Sequence, residues 1–213
     1  MSVKKILVTG GNAGIGFALC KQLAVENGCH VFLGSRSPER GKEAVSKIQS
    51  ALKENQGSVE LVTIDVGSDA SVAEAAERLK ATLGGEHLYA IVNNAGIGPN
   101  GNDPGEIMNV NFYGPKRVID AFGSCLKPDG GRIVNVGSGA GPSYVKKCPP
   151  GAQRLLCTEP SSWEQIVSWA SLSSDGMTGV GSQADGYKFI PSYCPFINYP
   201  FYCSALMLLC YAN

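Results

Sequence analysis

The sequence predicts an α/β fold, a doubly wound parallel sheet in three αβα layers. Three observations carry this. Apolar runs of strand length alternate with helix-period segments over the first 137 residues. Those runs are rich in Val, Ile and Leu with little polar alternation, as in strands covered on both faces. A glycine-rich turn joins the first strand to the first helix. Strand–helix–strand repetition at this spacing requires right-handed crossovers, and no solenoid period is present.

In chain order, strands are expected at 5–9, 30–34, 59–65, 88–93 and 132–136. Amphipathic helices are expected near 15–27, 38–54, 69–83 and 105–126. The third helix has capping-box spacing at Ser71 and Glu74, and Gly84-Gly85 can end it. After Gly137 the composition changes. Residues 139–186 are rich in Gly, Ser and Pro, with one helix expected over 162–172. Ser161-Ser162 would cap that helix, and Trp163, Ile166, Val167 and Trp169 would form its apolar face. From Pro191 onward Pro, Tyr, Cys and Phe follow in quick succession, and Pro195 and Pro200 leave the final apolar stretch too short to span a bilayer.

The formal net charge is zero, from 18 basic and 18 acidic residues, so nothing favours nucleic acid or an anionic membrane as partner. The eight cysteines include no Cys-x-x-Cys, and Cys20, Cys29 and Cys125 fall inside or directly beside expected helices or strands. They read as reduced structural thiols, with no metal site expected. The first apolar run, Ile6-Leu7-Val8, is too short for a signal peptide and reads as a strand. A cytoplasmic location is the expectation.

The first motif with chemistry in it is Thr9-Gly10-Gly11-Asn12-Ala13-Gly14-Ile15-Gly16. Glycines there allow a tight turn and close approach of backbone to a pyrophosphate, while the helix that follows offers free N–H groups and a partial positive charge. Gly10, Asn12, Gly14, Ile15 and Gly16 are therefore candidate cofactor contacts in a Rossmann-type fold. Two further motifs end strands: Asp65-Val66 after the third and Asn93-Asn94-Ala95-Gly96 after the fourth.

In this order the three motifs resemble the signatures of the short-chain dehydrogenase/reductase family, over residues 3 to about 138. The resemblance implies that Asp65 and Val66 contact the adenine, and that Asn93, Ala95 and Gly96 line the riboses. The end of the second strand decides between NAD and NADP. It reads Gly34-Ser35-Arg36-Ser37, with no carboxylate before Glu39. A carboxylate would bind the ribose 2′-hydroxyl, whereas the planar fork of Arg36 suits a 2′-phosphate and the two serines can add hydrogen bonds. NADP(H) is the expected cofactor, although Ala13 stands where many NADP-binding relatives carry a basic residue.

The family reduces carbonyls with Asn, Ser, Tyr and Lys, and the resemblance carries two of these over directly. Asn111, within Asn109-Val110-Asn111-Phe112, matches the helix asparagine, and Ser138 ends the fifth strand. The Tyr-x-x-x-Lys signature is absent. The subgroup similar to monomeric carbonyl reductases inserts a long segment between serine and tyrosine, and residues 139–186 resemble that insertion. Tyr193 then takes the tyrosine position with Ile197 in place of lysine, and Tyr187 is the rival. Lys188, five residues before Tyr193, would point to a different helix face. A tyrosine without a cation beside it titrates near about 10, so carbonyl reduction should suffer less than the reverse oxidation.

These readings divide the chain into an NADP(H)-binding domain over 1–138, the insertion over 139–186, and a divergent tail over 187–213. The family's last strands are expected to be missing, which resembles a truncated, frameshifted or alternatively spliced product. The fifth strand would then be an open edge unless the apolar tail covers it. The expected function is NADP(H)-dependent reduction of a small carbonyl compound by a monomer. The alternative is a nucleotide-binding pseudoenzyme or a truncated inactive product.

Overall fold

The structure, a computed structural model, describes residues 2–54, 56–98, 102–157, 163–164, 167 and 202–206. The five expected strands are β1 (Lys5–Val8), β2 (His30–Ser35), β3 (Ser58–Thr63), β4 (Ala90–Asn93) and β5 (Arg132–Val136). They run parallel in the order β3-β2-β1-β4-β5. Val8 at the end of β1 is in register with Leu33 of β2 and Val92 of β4. The order reverses direction at β1, which opens a crevice beyond the carboxyl ends of β1 and β4.

Alternate strand residues feed two cores. Leu7, Phe32, Ile91 and Ile133 pack beneath α3 (Asp69–Leu83) and α5 (Gly114–Phe122). Ile6, Val8, Val31, Leu33 and Val92 face the other side, with α1 (Gly14–Val25) and α2 (Pro38–Gln49). Helix α1 buries Gly16, Cys20 and Ala24, a stripe of small residues four apart that lets its axis approach the sheet closely.

Several expectations are corrected. The last strands are not all missing: β6 (Tyr202–Leu206) pairs parallel with β5, from Arg132↔Tyr202 to Val136↔Leu206. The exposed N–H and C=O groups of β5 accept a proline-free segment, and Pro200 stops just short of it. The cap of α3 is Ser68, whose hydroxyl accepts from the Ser71 N–H at 3.3 Å. Ser71 is diverted because its own hydroxyl accepts from the Asp65 N–H at 2.9 Å. Gly84 closes the helix in the left-handed conformation, as expected.

The expected single helix over 105–126 is four pieces. These are α4 (Pro104–Met108), a π-helical turn (Asn109–Tyr113), α5, and a 3₁₀ turn (Gly123–Cys125). The Gly-, Ser- and Pro-rich segment after Gly137 contains two helices besides the one expected over 162–172, α6 (Ala140–Val145) and α7 (Pro150–Cys157). Pro150 opens α7, a position where its missing N–H costs nothing. Of the helix expected over 162–172, Trp163, Glu164 and Val167 are helical, and its other residues lie outside the described ones.

Candidate active site

The glycine turn occupies the crevice between β1 and β4. Gly10 has φ +66°, and a Cβ there would sit 2.9 Å from the Ala95 Cα. A Cβ on Gly16 would sit 2.3 Å from the Gly10 carbonyl oxygen. Only glycine allows the turn to fold back on its own helix at this distance. Around Gly14 there is open space instead.

Ala13 stands at the cap position before helix α1 and offers no side-chain cap. By contrast α2, α3 and α4 are capped by Ser37, Ser68 and Asp103. The first-turn N–H groups of α1 therefore have no side-chain acceptor among the described residues, at a helix that starts directly from the glycine turn after β1. Cys20 lies beneath the turn, and burial pushes its thiol up to about 12, so it stays neutral below an anion site. The backbone cradle, the uncapped helix start and the neutral floor all fit a pyrophosphate.

At the end of β2, Arg36 is exposed and makes no ion pair among the described residues. The two serines beside it are otherwise engaged. Ser35 is buried and donates to the Ser37 carbonyl at 2.9 Å, while Ser37 caps α2 and donates to Glu39. Of these three side chains, that of Arg36 makes no hydrogen bond or ion pair among the described residues.

Two residues that the motif reading passed over hold the crevice together. The Thr9 hydroxyl accepts from the Asn94 N–H at 3.1 Å and the Ala95 N–H at 3.0 Å. The Asn94 amide returns two bonds, donating to the Thr9 and Gly10 carbonyls at 2.9 and 3.2 Å. Both sit in motifs recognisable from sequence, and their signal was a polar side chain at a strand's buried end. The Asn93 side chain turns sideways and donates to Asn135 Oδ1 at 2.9 Å. Its own Oδ1 is buried without a hydrogen-bond partner among the described residues. Asp65 Oδ1 accepts from the Gly67 N–H at 3.0 Å, which turns the chain after β3, and Val66 is buried against Gly114.

Asn111 lies in the π-helical turn, and its amide grips the loop after β4. Oδ1 accepts from the Ile97 N–H at 2.8 Å and Nδ2 donates to the Ile97 carbonyl at 2.9 Å. That pair of bonds fixes the backbone just beyond Ala95 and Gly96. Ser138 follows β5 at the same end of the sheet, and its carbonyl accepts from the Gly141 N–H at the start of α6. Asn93 and Asn135 are in register on β4 and β5, so Gly96 and Ser138 leave adjacent strands at the same edge of the crevice. Tyr193, Tyr187, Lys188 and Ile197 lie outside the described residues. Among the described residues no cluster of His, Cys, Asp and Glu could hold a metal ion, and no helix is long and apolar enough to cross a membrane.

Comparison with known proteins places this geometry. The short chain dehydrogenase family model matches residues 4–150. The (+)-neomenthol dehydrogenase of Arabidopsis thaliana is 38% identical, over 88% of this chain and 71% of that one. The NADPH carbonyl reductase 1 of Rattus norvegicus is 34% identical over 76% of this chain, which spans only 58% of that relative's length. Among solved structures, the salutaridine reductase of Papaver somniferum has a TM-score of 0.68 at 26% identity, covering 82% of this chain and 71% of that one. Menthone neomenthol reductase of Mentha piperita has a TM-score of 0.67 at 25% identity, covering 84% and 76%. By these matches the chain, which carries the glycine cradle, the Thr9–Asn94 clasp and the Asn111 turn, belongs to the short-chain dehydrogenase/reductase family of oxidoreductases and is carbonyl reductase-like.

Proposed function

We propose that this chain binds NADP(H) and reduces the carbonyl group of a small ketone, aldehyde or quinone. The observation that carries the reading is the pairing of an uncapped α1 with an exposed Arg36 that has no ion-pair partner among the described residues. One offers N–H groups to a pyrophosphate, and the other a guanidinium to a 2′-phosphate. Support for a ketone-type substrate comes from relatives named as a neomenthol dehydrogenase and a carbonyl reductase.

On this reading Gly10, Asn12, Gly14, Ile15 and Gly16 hold the pyrophosphate, and Asp65 and Val66 flank the adenine. Ala95 and Gly96 line the riboses, joined by the main chain of Asn93, whose side chain is turned to Asn135. When bound, the reduced nicotinamide supplies a hydride to the carbonyl carbon. Ser138 orients the carbonyl oxygen by a hydrogen bond, and Tyr193 gives that oxygen its proton. Asn111 sets the backbone beside the site. With Ile197 in the lysine position, Tyr193 works as an acid that begins protonated at neutral pH. The protein acts as a monomer, since an insertion of this kind would block the tyrosine-helix surface through which many relatives of the family pair.

The test is titration of the purified chain with NADPH and NADH, followed by carbonyl-dependent oxidation of NADPH at 340 nm. Saturable NADPH binding at least about tenfold tighter than NADH, with turnover of a simple ketone or quinone, is expected. Equal affinity for the two cofactors would overturn the cofactor assignment. Tight binding with no turnover would overturn the catalytic one.

A further inference from the structure

The π-helical turn that carries Asn111 is wider than an α-turn and persists only where its surroundings over-determine it. Its inner residue Phe112 is 2% exposed, and part of that cover comes from the insertion. The Trp163 ring stacks on Phe112 at a centroid distance of 4.8 Å and an angle of 8°. Trp163 also meets the Tyr113 ring edge-on at 5.9 Å, and Lys116 Nζ lies 5.3 Å over the indole. Lys116 is itself held by an ion pair with Asp120. Two successive residues of the turn, and the first turn of α5, are therefore pinned by one side chain from the segment after β5.

We propose that Trp163 is a positioning residue: by stacking on Phe112 it holds the π-helical turn in the form that lets Asn111 grip the loop after β4. The chain of contacts is short. Trp163 touches Phe112, Phe112 adjoins Asn111, and both ends of the Asn111 amide bond the backbone of Ile97. If the stack is lost, the turn can relax by one residue toward an α-helix, which rotates the Asn111 side chain off Ile97. The insertion would then set the order of the nucleotide-binding loop. This inference rests on the proposed function only for its consequence, a weaker hold on the cofactor; the link from Trp163 to Ile97 stands without it.

The experiment is amide hydrogen exchange, resolved at Ile97, on the full chain without nucleotide, for the wild type, Trp163→Ala and Trp163→Phe. Exchange at Ile97 should quicken about tenfold in Trp163→Ala, as expected for loss of one aromatic pair, and stay within about twofold in Trp163→Phe. The amides of Leu7 and Phe32 in the central strands should not change in either variant. Unchanged exchange at Ile97 in Trp163→Ala overturns the proposal. So does equal acceleration at Ile97 and the central strands, which would mean general loosening, and so does failure of phenylalanine to restore the wild-type rate. NADPH titration of the same three proteins forms a separate arm. Weaker binding by Trp163→Ala alone supports the proposal. A wild type that binds no NADPH defeats the proposed function, and the Ile97 result still decides the role of Trp163.

Discussion

The two ends of the same sheet are finished differently. At the amino end, charges meet one another. Lys5 pairs with Glu86, His30 sits between Ser58 and Glu60, and Lys4 and Arg132 both lie over the Tyr89 ring. At the carboxyl end, helix α1 starts without a cap, Arg36 has no ion pair and Asn93 Oδ1 has no partner among the described residues. The glycine turn there is nonetheless tightly fixed, by Thr9 and Asn94. An end whose polar groups satisfy one another serves the fold. An end built rigidly around open donors and an open acceptor serves something the fold does not contain.

That contrast can be broken most forcefully at Thr9. Thr9→Val keeps the shape but removes the acceptor of two N–H groups at a residue 1% exposed. Urea unfolding should show a loss of about 3 kcal/mol; a loss below about 1 kcal/mol would mean that the carboxyl end is not clasped as described. Gly16→Ala comes next, because its Cβ would press on the Gly10 carbonyl. A cost of about 2 kcal/mol is expected, with NADPH titration showing affinity lost by more than about tenfold.

Arg36→Ala sharpens the contrast in the opposite sense. Stability should move by less than about 0.5 kcal/mol, since the exposed side chain makes no hydrogen bond or ion pair among the described residues. NADPH affinity should fall by about tenfold or more, while NADH affinity holds. Parallel losses for both cofactors would remove Arg36 from the 2′-phosphate.

The smallest effect belongs to His30 at the amino end. Burial holds its imidazole below the ordinary value, opposed in part by the Glu60 carboxylate and reinforced by Lys5. The unfolded chain then binds the proton more readily than the folded one. The stabilising contribution is complete above about 6.5 and is lost as pH falls through the imidazole range. Melting temperature should drop by no more than about 2 °C from this source, and His30→Asn should flatten that part of the curve. A rise in melting temperature on acidification, removed by the same substitution, would reverse the assignment.

How far the molecule can be read without coordinates varies with the kind of interaction. The five strands β1 to β5 are legible because long Val, Ile and Leu runs between glycine-rich turns admit few other readings. The α3 cap is not: Ser68 and Ser71 are equally good caps in sequence, and the Asp65 N–H decides between them. The π-helical turn is invisible to periodicity, because one extra residue shifts the phase of the 105–126 segment without erasing it. In the candidate site, motifs single out Gly10, Gly16, Arg36, Asn111 and Ser138 as expectations, because short signatures of fixed spacing carry them. Thr9, Asn94 and Trp163 act by touching residues far along the chain, and no local pattern reports that. The strand β6 is hidden for the same reason, as its partner Arg132–Val136 lies 70 residues earlier at every rung.

The Thr9–Asn94 clasp also has a consequence for time. The two residues are 85 apart, so the glycine turn stays unfinished until β4 has been made and has paired with β1. A chain emerging from the ribosome can form the β1–β2 and β2–β3 pairs first, from local crossovers, while α1 has no rigid mouth to present. Under the proposed function, nucleotide capture would begin only once residue 95 is free to fold back. From that moment ligand binding selects chains with β4 in the middle of the sheet and draws the rest of the folding toward them by mass action.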